Sequence, residues 1–292
     1  MNNIKKRSIS GWLILLSLGL VACSNEVDTL LPGPADAAVN FYNASEVLGA
    51  VDSLRINNYV FIDDSTKPYP PKFDWYYSDR REYPLPIGVG SSSGSYKVTD
   101  YMRISAGSHR VMFTGREATG LLSDTTIDFK HPSFNCLYLV ESTANDSAYR
   151  LVVVPEDRKS PAAGKVGIRI INLCPDIDAL NSSRLDRNSN IITTDMPQNI
   201  LSGTFTSYLE IDTASSISNR LFVSFFTGSD KENALITAAV PATVGHTFAL
   251  VVQGFSHDVK RRIAVRRNGD GSLFYDNVNV MNNLRVNVRA TY

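Results

Sequence analysis

Short runs of β-branched and aromatic residues punctuate the chain at Ala38 to Tyr42, Tyr101 to Ile104, Arg110 to Thr114, Cys136 to Val140 and Arg150 to Val154. They return at Val166 to Ile171, Thr206 to Ile211, Leu221 to Phe226, His246 to Val252, Arg261 to Val265 and Leu284 to Val288. Apolar residues at every second position mark a strand with one buried face, and unbroken apolar runs mark one buried on both. No long stretch carries helical periodicity. Spacings of about ten residues, with Gly, Asn, Asp and Ser between the runs, predict an all-β chain built of sandwiches.

The pattern occurs twice. Ala38 to Ser45 aligns with Gly167 to Cys174 at an offset of 129, and Asp100 to Ile104 with Ser207 to Ile211 at an offset of 107. Cys136 to Val140 answers Thr247 to Val251. The 22-residue difference between those two offsets is material inserted in the first copy. This reading gives tandem domains at 37–160 and 165–292, joined near Arg158 to Gly164.

Ahead of them, residues 1–22 have the form of a signal peptide: Lys5, Lys6 and Arg7, then an apolar core from Gly11 to Val21 too short to span a bilayer. The core ends in Leu20-Val21-Ala22-Cys23, which looks like a bacterial lipobox, so Cys23 is the expected lipidation site and membrane anchor. Several acyl chains on one residue give stable attachment. Residues 23–36, with Pro32 and Pro34, form the lipidated tether. Acidic residues just after the cysteine, Glu26 and Asp28, resemble the surface-export signal of Bacteroidota lipoproteins. The expected location is the outer membrane at the cell surface, with a periplasm-facing position as the alternative.

Composition narrows the function. The 292 residues carry 29 basic and 29 acidic side chains. Removing residues 1–22 leaves 26 basic against 29 acidic, so no basic excess points to nucleic acid. Three cysteines make no disulfide framework, and no CxxC or paired His/Cys spacing suggests zinc. Cys136 and Cys174 remain in an oxidising compartment, either as buried free thiols or as a bridge.

The repeat unit resembles the bacterial family called domain of unknown function 4397. Ile168-Arg169-Ile170-Ile171-Asn172-Leu173-Cys174-Pro175-Asp176-Ile177-Asp178 carries the likeness best, and Tyr101-Met102-Arg103-Ile104-Ser105-Ala106-Gly107 next. The chain departs from the pattern at Glu46, where proline is expected, and at Thr213-Ala214, where a glycine turn is expected. Extending from about 37 to 255, the resemblance implies two tandem Ig-like or transthyretin-like β-sandwich domains in an exported lipoprotein. It implies no activity.

Catalytic chemistry finds no constellation. Gly90-Ser91-Ser92-Ser93-Gly94 satisfies G-x-S-x-G, but Pro84 and Pro86 precede it and strand-like Tyr96 to Thr99 follows, so Ser92 is a loop residue and no nucleophile elbow. His109, His131, His246 and His257 stand apart from one another and from other metal ligands. Asp176, Asp178 and Asp186 fit local turns better than a calcium loop. No catalytic residue, metal or cofactor is expected.

One segment stands out as a binding candidate. Pro68 to Pro86 holds Tyr69, Phe73, Trp75, Tyr76, Tyr77 and Tyr83 with five prolines, inside the inserted material. Stiff backbone lowers the entropy lost on binding, and flat rings stack on sugars or fill a partner's pocket. Tyr69, Phe73, Trp75, Tyr76, Tyr77, Arg80 and Arg81 are the expected contacts to a glycan or an envelope protein. The bland reading is that the rings cap the first sandwich. Lys260 to Arg267 places five basic residues in eight, either protecting an edge strand or contacting an acidic polysaccharide or anionic lipid. A non-catalytic accessory surface protein is thus expected, with a structural spacer or fimbria-like subunit as the alternative.

Overall fold

A computed structural model describes residues 35–51, 59–64, 68–69, 81–84, 86–91, 94–114, 121–266 and 272–291. The first part runs β1 (Asp36–Asn43), α1 (Glu46–Val51), β2 (Tyr59–Ile62), β3 (Pro68–Tyr69), β4 (Glu82–Tyr83), β5 (Ile87–Ser91), β6 (Gly94–Val98), β7 (Met102–Ser105), β8 (Gly107–Thr114), β9 (Leu121–Phe129), β10 (Phe134–Glu141) and β11 (Tyr149–Glu156). The second runs β12 (Lys165–Asn172), β13 (Ala179–Leu185), β14 (Ile191–Ile192), β15 (Ile200–Leu201), β16 (Thr204–Phe205), β17 (Leu209–Asp212), β18 (Arg220–Phe226), β19 (Ile236–Pro241), β20 (Thr247–Gln253), β21 (Val259–Arg266), β22 (Leu273–Val280) and β23 (Arg285–Ala290). The protein is an all-β sandwich structure, as the hydrophobic pattern predicts.

Four larger sheets stack through three apolar layers. The outermost first sheet is β3-β2-β8-β9, and the second is β11-β10-β1 with β4 and β7 sharing the far edge of β1. The third is centred on β12, β20 and β23, and the fourth on β13, β18 and β19. Val111, Phe113, Ile127 and Phe129 of the first sheet pack on Val39, Phe41, Leu137 and Leu139 of the second. The far layer sets Ile168, Ile170, Phe248 and Leu250 of the third sheet against Leu180, Val223, Phe225 and Val240 of the fourth. Between the inner sheets, Tyr42, Tyr138, Val140 and Val152 meet Ile171, Ala249 and Val251. Strands β10 and β20 are therefore buried on both faces, which is why they read as unbroken apolar runs.

Strand registers correspond between the two halves and adjust the alignment. Parallel pairing of β1 with β10 sets Ala38 opposite Phe134, and that of β12 with β20 sets Gly167 opposite Thr247. The partner of Thr247 is thus Phe134 rather than Cys136, a shift of two that leaves each side chain on the same face. Ser105 opposite Asp36 matches Asp212 opposite Lys165, which is the 107 offset. Glu82 lies opposite Tyr42 and Phe205 opposite Ile171, an offset of 123. By these registers 16 of the 22 inserted positions fall between β4 and β7, where β5 and β6 form a hairpin, and only 6 lie before β4. The insertion is therefore mostly that hairpin, and the ring-rich segment is largely not inserted material.

Two hairpins cross between the halves. The β5–β6 hairpin extends the third sheet, with Val98 beside Ala290 of β23. In the other direction β21 and β22 pair only with each other among the described strands, and put fully buried Ile263 into the layer between the first two sheets. Both departures from the family pattern have local causes. Near Glu46, Ser45 caps the first turn of α1 by accepting the Leu48 amide at 3.1 Å. At Thr213–Ser215 a 3₁₀ turn, capped by Asp212 accepting the Ala214 amide, reverses the chain without glycine.

Candidate functional site

Strand β23 reads Arg-Val-Asn-Val-Arg-Ala. Its even-numbered residues Val286, Val288 and Ala290 join the layer between the third and fourth sheets. The odd-numbered Arg285, Asn287 and Arg289 consequently point toward the second sheet, Arg289 buried there and Arg285 still 38% exposed at the rim. There they meet acids carried by the first half.

Glu46, 5% exposed, is the hub of one cluster. Its carboxylate accepts two bonds from Arg81, at 2.9 and 3.1 Å, one from Arg285 and one from Gln253 at 2.9 Å. Two guanidiniums and an amide thus converge on one buried carboxylate. A second cluster surrounds Arg289, which donates to Tyr138 Oη at 2.6 Å, Asn40 Oδ1 at 2.9 Å and Glu82 Oε1 at 3.1 Å, and lies over the Tyr42 ring. Asn287 bridges the clusters through Tyr42 and Gln253. A third pair joins Arg169 to Glu156 at 3.2 Å, with Tyr208 donating to the same oxygen. Burial raises the Glu156 carboxyl, and Arg169 opposes it.

This seam anchors the ring-rich segment. The chain leaves the first sheet at β3, where Tyr69 is opposite Val60, and returns to the second at β4, where Tyr83 is opposite Phe41 and packs on the same apolar layer. Arg81, one residue before β4, is the clamp, holding both Glu46 and the Ser45 carbonyl. Phe73, Trp75, Tyr76, Tyr77 and Arg80, expected as ligand contacts, lie outside the described residues, as do Cys23 and Ser92. The G-x-S-x-G stretch spans the tip of the β5–β6 hairpin, Gly90 opposite Ser95 and Ser91 opposite Gly94, with strand on either side.

Other expected residues are placed locally. Cys136 and Cys174 are free and buried in different layers, and burial pushes the Cys136 thiol up to about 11. His109 binds Asp63 at 2.7 Å and His257 binds Asp176 at 3.0 Å. Asp186 closes its own turn, accepting from the Asn188 and Asn190 amides. No group of three metal-type ligands occurs among the described residues, and no described helix is long and apolar enough to cross a membrane. An open depression of about 230 Å³ near Gln198, Phe226 and Lys231 carries no cluster of reactive groups. Sequence reading missed Glu46, Glu82, Arg285 and Arg289 as a unit. The one signal was Glu46 standing where proline was expected.

A family model described as a domain of unknown function (DUF4397) matches residues 93–183, a stretch narrower than the 37–255 expected. It includes both motifs on which the resemblance rests and runs from the β5–β6 hairpin into β13. No curated protein matches the chain. Among solved structures, the crystal structure of CBMbc (family CBM26) from Eubacterium rectale Amy13K in complex with maltoheptaose is 10% identical, with a TM-score of 0.20 over 82% of this chain and 96% of that one.

Proposed function

We propose that the protein is a non-catalytic lipoprotein of the outer membrane, anchored through Cys23 at the cell surface, that binds a glycan or an envelope protein through its ring-rich segment. The observation carrying this reading is the two-sheet mounting of that segment. Its ends are fixed on different sheets, and the partly buried Arg81–Glu46 pair holds the return strand. Rigid ends and five prolines lower the ordering cost of binding, which is what a stacking platform for sugars requires. The lipobox at Leu20 to Cys23 supports the anchoring.

Trp75 tests the proposal, because Trp12 leaves with residues 1–22 and no other tryptophan remains. A version lacking those residues, with Cys23→Ser, is titrated with a glycan panel and with solubilised envelope proteins while emission is recorded. A saturable shift with one ligand class, lost in Trp75→Ala at unchanged melting temperature, is expected. Equal binding by Trp75→Ala refutes the role of the segment. The spacer or fimbria-like alternative draws on β5, which ends the third sheet and leaves Ile87 48% exposed. An edge of that kind can accept a neighbour's strand, and concentration-dependent polymers in light scattering are its signature.

A further inference from the structure

The β21–β22 hairpin turns one face to the protein core and the other to water. Registers place Lys260 opposite Asn279, Arg262 opposite Asn277 and Ala264 opposite Tyr275, all on one face by strand alternation. On the other face Ile263 and Val280 are buried. Lys260, Arg262, Asn277 and Asn279 are exposed, Tyr275 is 55% exposed, and the Arg262 guanidinium lies 4.7 Å from the centre of its ring. The three rungs extend over about 13 Å, long enough for a short run of sugar rings.

We propose that this outer face is a binding site for an acidic polysaccharide, distinct from the ring-rich segment. Two cations meet carboxylates or sulfates, the Tyr275–Arg262 stack offers a flat surface, and the two asparagine amides supply donors and acceptors for hydroxyls. Of the acids nearby, Asp276 is exposed but alternates to the face of Ile263 and accepts the Asn277 amide, and Asp258, also exposed, accepts the Asn282 amide, so neither pairs with Lys260 or Arg262. A membrane surface fits less well, because among these six residues only the Tyr275 ring offers apolar area to enter the headgroup boundary. Nucleic acid fits poorly as well, since the chain has no basic excess.

The test uses the version lacking residues 1–22 with Cys23→Ser, and as probes polygalacturonate, dextran sulfate, neutral dextran and phosphatidylglycerol vesicles. Binding to at least one acidic polymer, weakening as salt rises, and none to neutral dextran are expected. The Lys260→Ala/Arg262→Ala variant should bind at least tenfold more weakly and Tyr275→Ala several-fold more weakly, both at unchanged melting temperature, while Trp75→Ala keeps full polymer binding. Equal binding by the double variant, no binding to either acidic polymer, or tighter binding to vesicles than to polymer would each overturn the proposal. So would loss of polymer binding in Trp75→Ala alone.

Discussion

Arg289→Leu probes the seam between the inner sheets most directly. The guanidinium is 6% exposed and donates to Tyr138 Oη, Asn40 Oδ1 and Glu82 Oε1, with Cys136 Sγ a weaker fourth acceptor at 3.7 Å. Leucine retains much of the aliphatic stem and deletes every one of these bonds. Glu82, 12% exposed, then keeps a carboxylate without its cation, and breaking a buried pair in this way costs about 3–5 kcal/mol. The fully buried Tyr138 hydroxyl loses this partner as well, at about 1–3 kcal/mol. Burial of leucine returns about 1.5–3 kcal/mol, which leaves an expected loss of about 4 kcal/mol. Against a typical total of about 5–15 kcal/mol that is a large fraction. Urea denaturation followed by far-ultraviolet circular dichroism measures it. Adding Glu82→Gln removes the stranded charge, so the double variant should recover about 2 kcal/mol relative to additivity. A cost below about 1 kcal/mol for Arg289→Leu, or strict additivity, would refute the idea that this pair joins the halves.

Three further outcomes follow from the same geometry. Burial pushes the Glu141 carboxyl above its ordinary 4.5, against hydrogen bonds from Ser45 and the Val47 amide. The folded protein therefore holds that proton more tightly than the unfolded chain, and its contribution to stability is present below 4.5 and lost as pH rises through the folded value. Glu141→Gln should remove this slope, so the variant gains on the parent protein in denaturation midpoints as pH increases; a pH-independent difference contradicts it. Gly254 has φ +93°, and an added Cβ would sit 2.6 Å from the Asn283 carbonyl oxygen. Gly254→Ala should cost about 2 kcal/mol or more in thermal melts, and a neutral result would contradict the clash. With Cys23 replaced, a thiol dye at mildly alkaline pH should label neither Cys136 nor Cys174 until the protein is denatured, because both are fully buried; rapid labelling in the native state would show that a layer opens.

The strands were readable because burial on one face or two leaves opposite marks. Cys136 to Val140 and Phe248 to Val252 are unbroken apolar runs because each lies between two layers. The repeat was readable at β7 and β17 down to the residue, and two residues out at β10 and β20, because a slip of two preserves every face. What the pattern could not show was the seam. Arg285, Asn287 and Arg289 alternate with valines as a solvent-facing strand does, and nothing local distinguishes water from a facing sheet that carries acids. The six-residue α1 is too short for periodicity, and the only hint of its role was the unexpected Glu46. Single bridges such as Val98 beside Ala290 depend on partners far away in sequence and leave no local trace.

Strand β23 has a further consequence for the order in which the fold is completed. It lies between β20 and β6 and supplies Glu82 with its cation and Glu46, already held by Arg81, with a second, yet follows every one of those partners in the chain. During synthesis the first half emerges with Glu46 held by Arg81 alone, Glu82 lacking Arg289 and β6 awaiting β23. Closure of the inner sheets waits until residues 285–290 arrive. Long-range pairing of this kind slows folding, because the intervening chain must be closed into a loop before the contacts can form.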